Sequence, residues 1–434
     1  MIASLFKLSS LLLGVALLLT GHGLQLALAP LRSELMGWSP TQIGFLSSLY
    51  FCGFIAGCFT IPGLVGRIGH IRTFACLVII LTASILTLPI AGFYPAWMVL
   101  RFLTGIAIAG LYLVIESWLN EQASPDSRGS VLASYTVIVM VGLACGQLLI
   151  NVAALDGDRL FMLSAILIVL AGLPVCLTRA AHPKAIPTAT FSPMLVVRTS
   201  RAATTGSFIA GMVAGSVYGL GPVYGLQSNL EVLTISIMMF LTIAGGALSQ
   251  FPLGRLSDKL DRRYVIMCCM VSGALIASLA LILPSSLIPF VMFAFGACAL
   301  PIYAVSLALA NDNAKEGKFI ELGTGLLMIN ACGSIIGPMI ASQLMSRFGP
   351  QLFFGYLMVV LIVGSLLILF MIRTKEASEN QGDFTLATTA AAQGSFQLDP
   401  RVEADEPEVS DDENDRDIGD DLEPEMADIT DKEQ

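Results

Sequence analysis

Few side chains in this 434-residue sequence can do chemistry, and the most informative ones stand inside long apolar runs. Arg101 lies about five residues inside one such run and is followed at helical spacing by Gly105, Ile108 and Tyr112. These residues share one stripe of an α-helix. A guanidinium among apolar residues is costly unless it faces a wet cavity or a partner, so Arg101 indicates a site that binds an anion or tunes a proton. The alternative is a side chain that snorkels to the membrane surface.

Apart from Glu231, which begins one run, Glu116 is the only carboxylate in the apolar runs of the sequence. It follows Arg101 by fifteen residues, which is about 22 Å along a helix axis, so the two side chains cannot pair directly. We predict that Glu116 forms a gate salt bridge with Arg67, Arg72 or Arg128, which lie at the same end of the apolar runs. A proton-carrying role is the alternative interpretation.

Several further polar groups stand where hydrocarbon would penalise them. The predicted substrate pocket consists of Arg101, Tyr112, His22, Gln25, Gln147, Tyr218, Tyr303 and Asn330. His22 titrates near neutral pH, so it is also the predicted proton site. Each of these groups could instead hydrogen-bond to a neighbouring helix, which requires no substrate.

The composition shows which elements must position these residues. Hydrophobic residues make up 55% of the chain, charged residues make up 13%, and the mean hydropathy is +0.79. Soluble domains contain about 25% charged residues, so this is a polytopic membrane protein. Apolar runs long enough to cross a bilayer predict twelve transmembrane helices. They cover residues 8–29, 41–62, 73–92, 96–118, 130–152, 160–179, 204–226, 231–253, 264–283, 287–310, 322–345 and 351–372.

Two related charge clusters divide the apolar runs into halves. Residues 254–263 contain four basic and two acidic side chains, and residues 63–72, which lie 191 positions earlier, are a degraded copy. Charges at this density cannot lie in hydrocarbon, so we predict a tight loop at each cluster. The duplication predicts two six-helix bundles, residues 1–179 and 204–375, joined by a linker at 180–203.

We assign the charge clusters to a gate and the small residues to helix packing. The predicted gate residues are Gly63, Arg67, Arg72, Glu116, Arg128, Gly254, Asp258, Arg262 and Arg263. In the second half, Asp258 is expected to pair with Arg262 or Arg263 as a latch that opens when the halves move, which suits a pair worth about 0 to 1 kcal/mol. Close helix contacts are predicted at Gly105, Gly142, Gly146, Gly333, Gly337 and Pro338.

The distribution of charge predicts the orientation of the chain. With both termini in the cytoplasm, sixteen Lys and Arg fall on that side and three, Arg32, Arg159 and Arg347, fall on the other. This positive-inside bias predicts cytoplasmic termini. The first apolar run ends in a sequence that resembles a signal-peptidase site, yet it is longer than a signal core, so we predict a retained helix.

The end of the sequence is strongly acidic, unlike the rest. Residues 376–434 hold 20 acidic residues against 3 basic ones, which leaves 12 acidic and 20 basic residues in the membrane part. This composition predicts a disordered tail. The alternative is a cytoplasmic regulatory or partner-binding segment.

The sequence gives little indication of metal or enzyme chemistry. All nine cysteines lie inside apolar segments without Cys-x-x-Cys spacing, so we predict neither disulfides nor a metal site. A Walker loop, a nucleophile elbow, a His-Glu-x-x-His motif and paired catalytic carboxylates are missing from the sequence. We therefore predict a protein that is not an enzyme and needs no cofactor.

The charge cluster at 254–263 resembles the signature loop of the major facilitator superfamily, which joins the second helix of each half to the third. The first copy keeps Gly63, Arg67 and Arg72 but has Gly66 where the family has Asp. The resemblance implies that the first half lacks a carboxylate that locks neighbouring helices.

Residues 101–149 are similar to the bacterial YcaD-type branch of that superfamily, and Arg101 to Gly105 resembles the second family motif. Drug-exporting members continue the fifth-helix glycine pair with proline, whereas here Gly146 is followed by Gln147 and the proline form occurs at Pro338. This difference argues mildly against a drug antiporter.

The resemblance implies a secondary transporter of the bacterial inner membrane that moves a small solute by alternating access, with protons as a candidate coupling ion. Arg101 favours an anionic or zwitterionic substrate. Two alternatives remain: a proton-coupled multidrug exporter, and a non-transporting membrane sensor whose acidic tail is the output. The expected partners are a small-molecule substrate and the lipid bilayer; we expect a monomer that binds no nucleic acid.

Overall fold

The computed structural model of the chain describes residues 2–123, 128–177, 193–314 and 318–374, together with Phe384, Leu386 and Ala387. Within these residues the secondary structure is α-helix with two short 3₁₀ turns and no strand. Four of the sixteen Lys and Arg assigned above to the cytoplasmic side lie outside the described residues, namely Arg179, Lys184, Lys315 and Lys375. The rest of the predicted tail, 376–434, also lies outside them.

The helices follow the apolar runs of the sequence. In the first half they are α1 Ile2–Leu35, α2 Pro40–Ile68, α3 His70–Ile90, α4 Tyr94–Gln122, α5 Arg128–Leu148 and α6 Arg159–Leu177. Between the halves lies α7, Pro193–Thr199. In the second half they are α8 Arg201–Gln227, α9 Val232–Ser257, α10 Arg262–Ala280, α11 Ile288–Ala299, α12 Ile302–Asp312, α13 Phe319–Phe348 and α14 Leu352–Thr374.

The prediction of an all-helical membrane protein is confirmed, while the number of full-length spans is smaller than predicted. Among the described residues, eleven helical segments are long and apolar enough to cross a membrane. The predicted sixth span corresponds to a shorter apolar helix, Arg159–Pro174. The predicted linker at 180–203 contains the whole of α7 and the first residues of α8.

The predicted tenth span is not one continuous helix. Its first part, α11, ends at Ala299, and its second part, α12, begins at Ile302. Pro301 stands at the break. Proline interrupts a helix because it lacks a backbone N–H and its ring clashes with the carbonyl four residues earlier. The break places Tyr303 in the first turn of α12.

The tight loop predicted at each charge cluster is confirmed, but it spans only part of the ten residues, and the rest belong to the flanking helices. The first cluster is helical on both sides of Gly69, whose φ of 83° lies in the left-handed region that favours glycine. In the second cluster, α9 continues to Ser257 and α10 begins at Arg262, so only four residues connect them. Charged residues can occupy a helix end because their long side chains reach the membrane surface.

Equivalent close contacts between helices occur in both halves. Gly105 of α4 approaches α2 so closely that a Cβ would contact the carbonyl oxygen of Tyr50. Gly296 of α11 faces the carbonyl oxygen of Thr242 in α9 in the same way. Small residues at such contacts allow helix backbones to approach within van der Waals distance. The duplication seen in the sequence therefore extends to helix packing.

The second pair of equivalent contacts joins α1 to α5 and α8 to α13. A Cβ on Gly146 would contact the carbonyl oxygen of Thr20, and one on Gly337 would contact the carbonyl oxygen of Met212. Gly142 and Gly333 lie one turn earlier, against Leu19 and Phe208. These glycines allow α1 to pack closely against α5, and α8 against α13.

We expect Gly146→Ala to lower the stability of the protein by about 1 to 3 kcal/mol, because the added methyl group would push α5 away from α1. Gly172→Ala is the matched control, since a Cβ at that position in α6 would meet nothing within 4 Å. Melting temperatures in detergent measure both effects. Equal melting temperatures for the two variants would contradict the packing argument.

Candidate functional site

The two halves touch at the end of the molecule that lies away from the start of α1 and the end of α14. Ser48 of α2 donates a hydrogen bond to the carbonyl of Ile335 in α13 (2.6 Å). The amide of Asn151 donates to Ser236 at the start of α9 (2.7 Å). At the same end, the amide of Gln227 donates to the carboxylate of Glu34 (2.9 Å). These bonds close this end of the space between the halves.

A cavity of about 60 Å³ lies between the two halves, and we call it the central cavity. From the first half its wall contains His22, Leu26, Tyr50, Phe51, Phe54, Tyr112 and Leu143. From the second half it contains Ala214, Tyr218, Leu327, Asn330, Ala331 and Ser334. The wall is aromatic and apolar with a few polar groups, a composition typical of small-molecule sites, and none of its described residues is Asp, Glu, Lys or Arg.

His22 and Tyr50 form the polar part of the wall in the first half. The Tyr50 hydroxyl and His22 Nε2 are 3.1 Å apart, and their rings stack with centroids 5.8 Å apart. His22 Nδ1 has no hydrogen-bond partner among the described residues. A neutral imidazole has one nitrogen that donates and one that accepts, so this pair can exchange a proton or bind a polar ligand.

Arg101 lies one layer behind this wall. Its side chain is buried, with 5% of the residue exposed, and its Cζ lies 4.8 Å from the centroid of the Tyr50 ring. The close approach of α2 and α4 at Gly105 brings this ring onto the guanidinium. Arg101 Nη1 has no hydrogen-bond partner among the described residues. We expected Arg101 inside the chamber, but Tyr50 separates it from the central cavity.

The other predicted pocket residues divide into two groups. His22, Tyr112, Tyr218 and Asn330 belong to the wall of the central cavity, whereas Gln25, Gln147 and Tyr303 are buried outside it. The Gln147 amide donates to the carbonyl of Gly23 (3.0 Å) and thereby ties α5 to α1. Asn330 makes a similar bond to the carbonyl of Ser207 (3.0 Å) while lining the cavity.

Glu116 is fully buried one turn beyond Tyr112. The hydroxyl of Tyr135 in α5 donates a hydrogen bond to its Oε1 (3.0 Å). We predicted only arginine partners for Glu116, and Tyr135 was missed because a tyrosine inside an apolar run looks like a packing residue. The remaining first-half gate residues occupy less buried positions, with Arg67 and Arg72 exposed and Arg128 half-buried.

Arg262 forms a buried ionic cluster where α9 ends and α10 begins. Its Nε lies 2.6 Å from Asp312 Oδ2, its Nη1 donates to Ser257 (2.9 Å), and its Nη2 lies 3.2 Å from Asp258 Oδ1. The arginine side chain is fully buried. These groups belong to α9, α10 and α12, so the cluster ties helices of one half together. The pair of Asp258 and Arg262, which we expected to be a weak latch, is therefore part of a buried ionic cluster within one half.

The other second-half gate residues lie beside this cluster. Arg263 pairs with Asp261 (2.7 Å), the residue that caps α10. Gly254 is buried, and a Cβ there would contact the ring of Phe384, which follows α14 in the chain. The equivalent first-half residue, Gly63, is exposed and has nothing within 4 Å of an added Cβ. The charge clusters at 63–72 and 254–263 therefore differ in what packs against their first glycine.

Comparison with known proteins identifies the family of this chain. The model of the Major Facilitator Superfamily matches residues 11–245 and 203–402. The chain belongs to the major facilitator superfamily. It is 31% identical over 351 residues to the uncharacterized MFS-type transporter YcaD of Salmonella typhimurium strain LT2, which covers 79% of this chain and 90% of the relative. The YcaD protein of Salmonella paratyphi A is 31% identical over 341 residues, covering 76% and 88%.

Solved structures of two transporters share this fold. A bacterial homolog of the human lysosomal transporter Spinster, in an inward-facing and occupied conformation, matches with a TM-score of 0.70 and 16% identity over 85% of this chain and 97% of that one. The nucleoside transporter NupG matches with a TM-score of 0.66 and 15% identity over 84% and 99%. The predicted resemblance to the superfamily and to its YcaD-type branch is confirmed.

Proposed function

We propose that this member of the superfamily is a secondary active transporter that moves a small anionic or zwitterionic solute by alternating access. The observation that supports this most directly is the central cavity, whose wall comes from both halves and is closed at one end. Rocking of the halves would open the closed end and expose the cavity to the other face of the membrane.

The charges around the central cavity support the choice of solute. None of the described residues that line the wall is acidic. The layer behind the wall contains the Arg101 guanidinium, which has no ion-pair partner in the described part of the chain. A buried cation without a counter-ion is unfavourable, so a bound carboxylate or phosphate would stabilise it. A solute with such a group would bind beside Tyr50 and His22.

We further propose the arrangement of the chain in the bacterial inner membrane. Residues 1–179 and 204–375 are the two moving bundles, residues 180–203 connect them, and residues 376–434 lie on the cytoplasmic side. Both termini lie in the cytoplasm, because Lys and Arg collect on that side. The structure would then be closed towards the outside. Protons are the proposed coupling ion, carried by His22, and the protein acts as a monomer.

A second candidate function is a proton-coupled exporter of apolar drugs. Phe51, Phe54 and Leu143 give much of the wall an apolar surface, which suits a neutral aromatic compound. The two candidates differ in their need for Arg101, since a neutral drug gains little from a nearby cation.

A screen of melting temperatures over metabolite classes tests the proposal. Organic anions and zwitterions should raise the melting temperature of the wild-type protein in detergent, and the compounds that do so should then show counterflow in proteoliposomes. Stabilisation by neutral drugs alone would favour the exporter. Binding without counterflow would indicate a sensor.

We expect His22→Gln to remove the dependence of the transport rate on pH, because glutamine cannot carry a proton as histidine does. His70→Gln is the matched control, since His70 is also buried but lies outside the wall of the central cavity. Transport in proteoliposomes at several pH values measures both variants. An unaltered pH profile in His22→Gln would exclude His22 as the coupling site.

A further inference from the structure

A second, larger cavity lies at the end of the molecule where α14 ends. Its volume is about 440 Å³, and we call it the arginine cavity. It is bounded by α7, α8, α10, α12 and α14. The lining residues are Arg198, Ser200, Arg201, Ala202, Arg263, Leu309, Asn313, Phe370, Met371 and Thr374. None of the described lining residues is acidic, so the site suits an anion.

Two of the three arginines of this cavity are available for a ligand. Arg198 and Arg201 are exposed and make no hydrogen bond or ion pair with any described residue. Arg263 already pairs with Asp261 (2.7 Å). Guanidinium groups bind phosphate through parallel N–H donors, which makes arginine the preferred residue for phosphate recognition. The cavity therefore presents two free phosphate-binding side chains.

The apolar side of the arginine cavity continues into the lipid-facing surface of α14. Phe370 lines the cavity, and 67% of this residue is exposed. Along the helix from Phe370, the exposed apolar residues are Leu367, Leu366, Val363, Ile362 and Val359, which recur at helical spacing. This stripe leads from the cavity towards the middle of the membrane, where acyl chains lie.

We propose that the arginine cavity binds the phosphate headgroup of an anionic phospholipid, with the acyl chains lying along the exposed stripe of α14. A basic site at the membrane surface with an apolar exit matches an amphiphile that has an anionic head. A soluble phosphate or the acidic tail of this chain could supply the same charge but would make no use of the stripe. The proposal does not depend on transport activity.

Native mass spectrometry of the full-length protein in an uncharged detergent tests the proposal. We expect the wild type to retain phosphatidylglycerol and to release phosphatidylcholine of the same chain length. Arg198→Gln with Arg201→Gln should weaken phosphatidylglycerol binding by roughly 25-fold, since each arginine near a membrane surface contributes about fivefold. If the double variant does not fold, the single variants should each show roughly the fivefold loss.

Arg255→Gln is the matched control, because Arg255 is an exposed arginine at the same end of the molecule that does not line the cavity. It should bind phosphatidylglycerol like the wild type. Equal binding of phosphatidylglycerol by all variants would show that the arginine cavity is not the lipid site. Equally strong binding of glycerol phosphate would overturn the lipid assignment, as would displacement of the lipid by a synthetic peptide of residues 401–430.

Discussion

Replacement of Asp312 by alanine is expected to destabilise the protein by about 3 to 5 kcal/mol, because it leaves the buried Arg262 guanidinium without its closest counter-ion. Asp312 Oδ2 lies 2.6 Å from Arg262 Nε, and both side chains are almost inaccessible. Asp258, the other carboxylate in the cluster, is farther away at 3.2 Å and is partly exposed. The melting temperature of the purified variant in detergent measures the loss.

Glu321→Ala is the matched control for this prediction. Glu321 forms an ion pair with Lys318 (2.8 Å) in which the lysine is half exposed. Pairs of this kind contribute about 0 to 1 kcal/mol, so the control should melt close to the wild type. If Asp312→Ala also melted close to the wild type, the cluster would be a weak surface latch after all.

The second large effect concerns Arg101. We expect Arg101→Ala to reduce the affinity for an anionic solute by about 5- to 30-fold, since a unit charge one side-chain layer from the ligand contributes roughly 1 to 2 kcal/mol at an effective dielectric constant of about 20. Arg101→Lys keeps the charge and should retain most of the affinity. Counterflow of an anion identified by the melting screen measures these variants.

Arg347→Ala provides the control for Arg101, because Arg347 is an exposed arginine in the last turn of α13 and lies outside the central cavity. Its removal should leave anion affinity unchanged. Undiminished anion transport by Arg101→Ala would leave this guanidinium with a structural role only. Loss of neutral-drug transport in Arg101→Ala would count against the exporter alternative.

The class of fold could be predicted from the sequence, because the length of an apolar run and the density of charges depend only on residues that are neighbours in the chain. The glycines at 105, 146 and 337 were also identified as close helix contacts, since no other residue allows backbones to approach so closely. The break at Pro301 was missed, although proline supplied the signal, because the apolar run continues through it without interruption.

The arrangement of the candidate site depended on contacts that spacing alone does not give. Arg101 was identified from its cost in hydrocarbon, yet its place behind Tyr50 follows from the close approach of α2 and α4. Tyr50 itself was missed, because one tyrosine among apolar residues resembles any packing residue. Asp312 follows the predicted tenth span, and only the folded chain brings it to Arg262.

A disulfide across the closed end tests the central claim most directly. In a chain whose nine native cysteines are replaced by serine, Asn151→Cys and Ser236→Cys would join the two halves where these side chains now touch at 2.7 Å. If the halves must separate there in each transport cycle, counterflow should stop when the disulfide forms and return on reduction, while each single variant remains active. Counterflow at an undiminished rate with the disulfide closed would contradict alternating access.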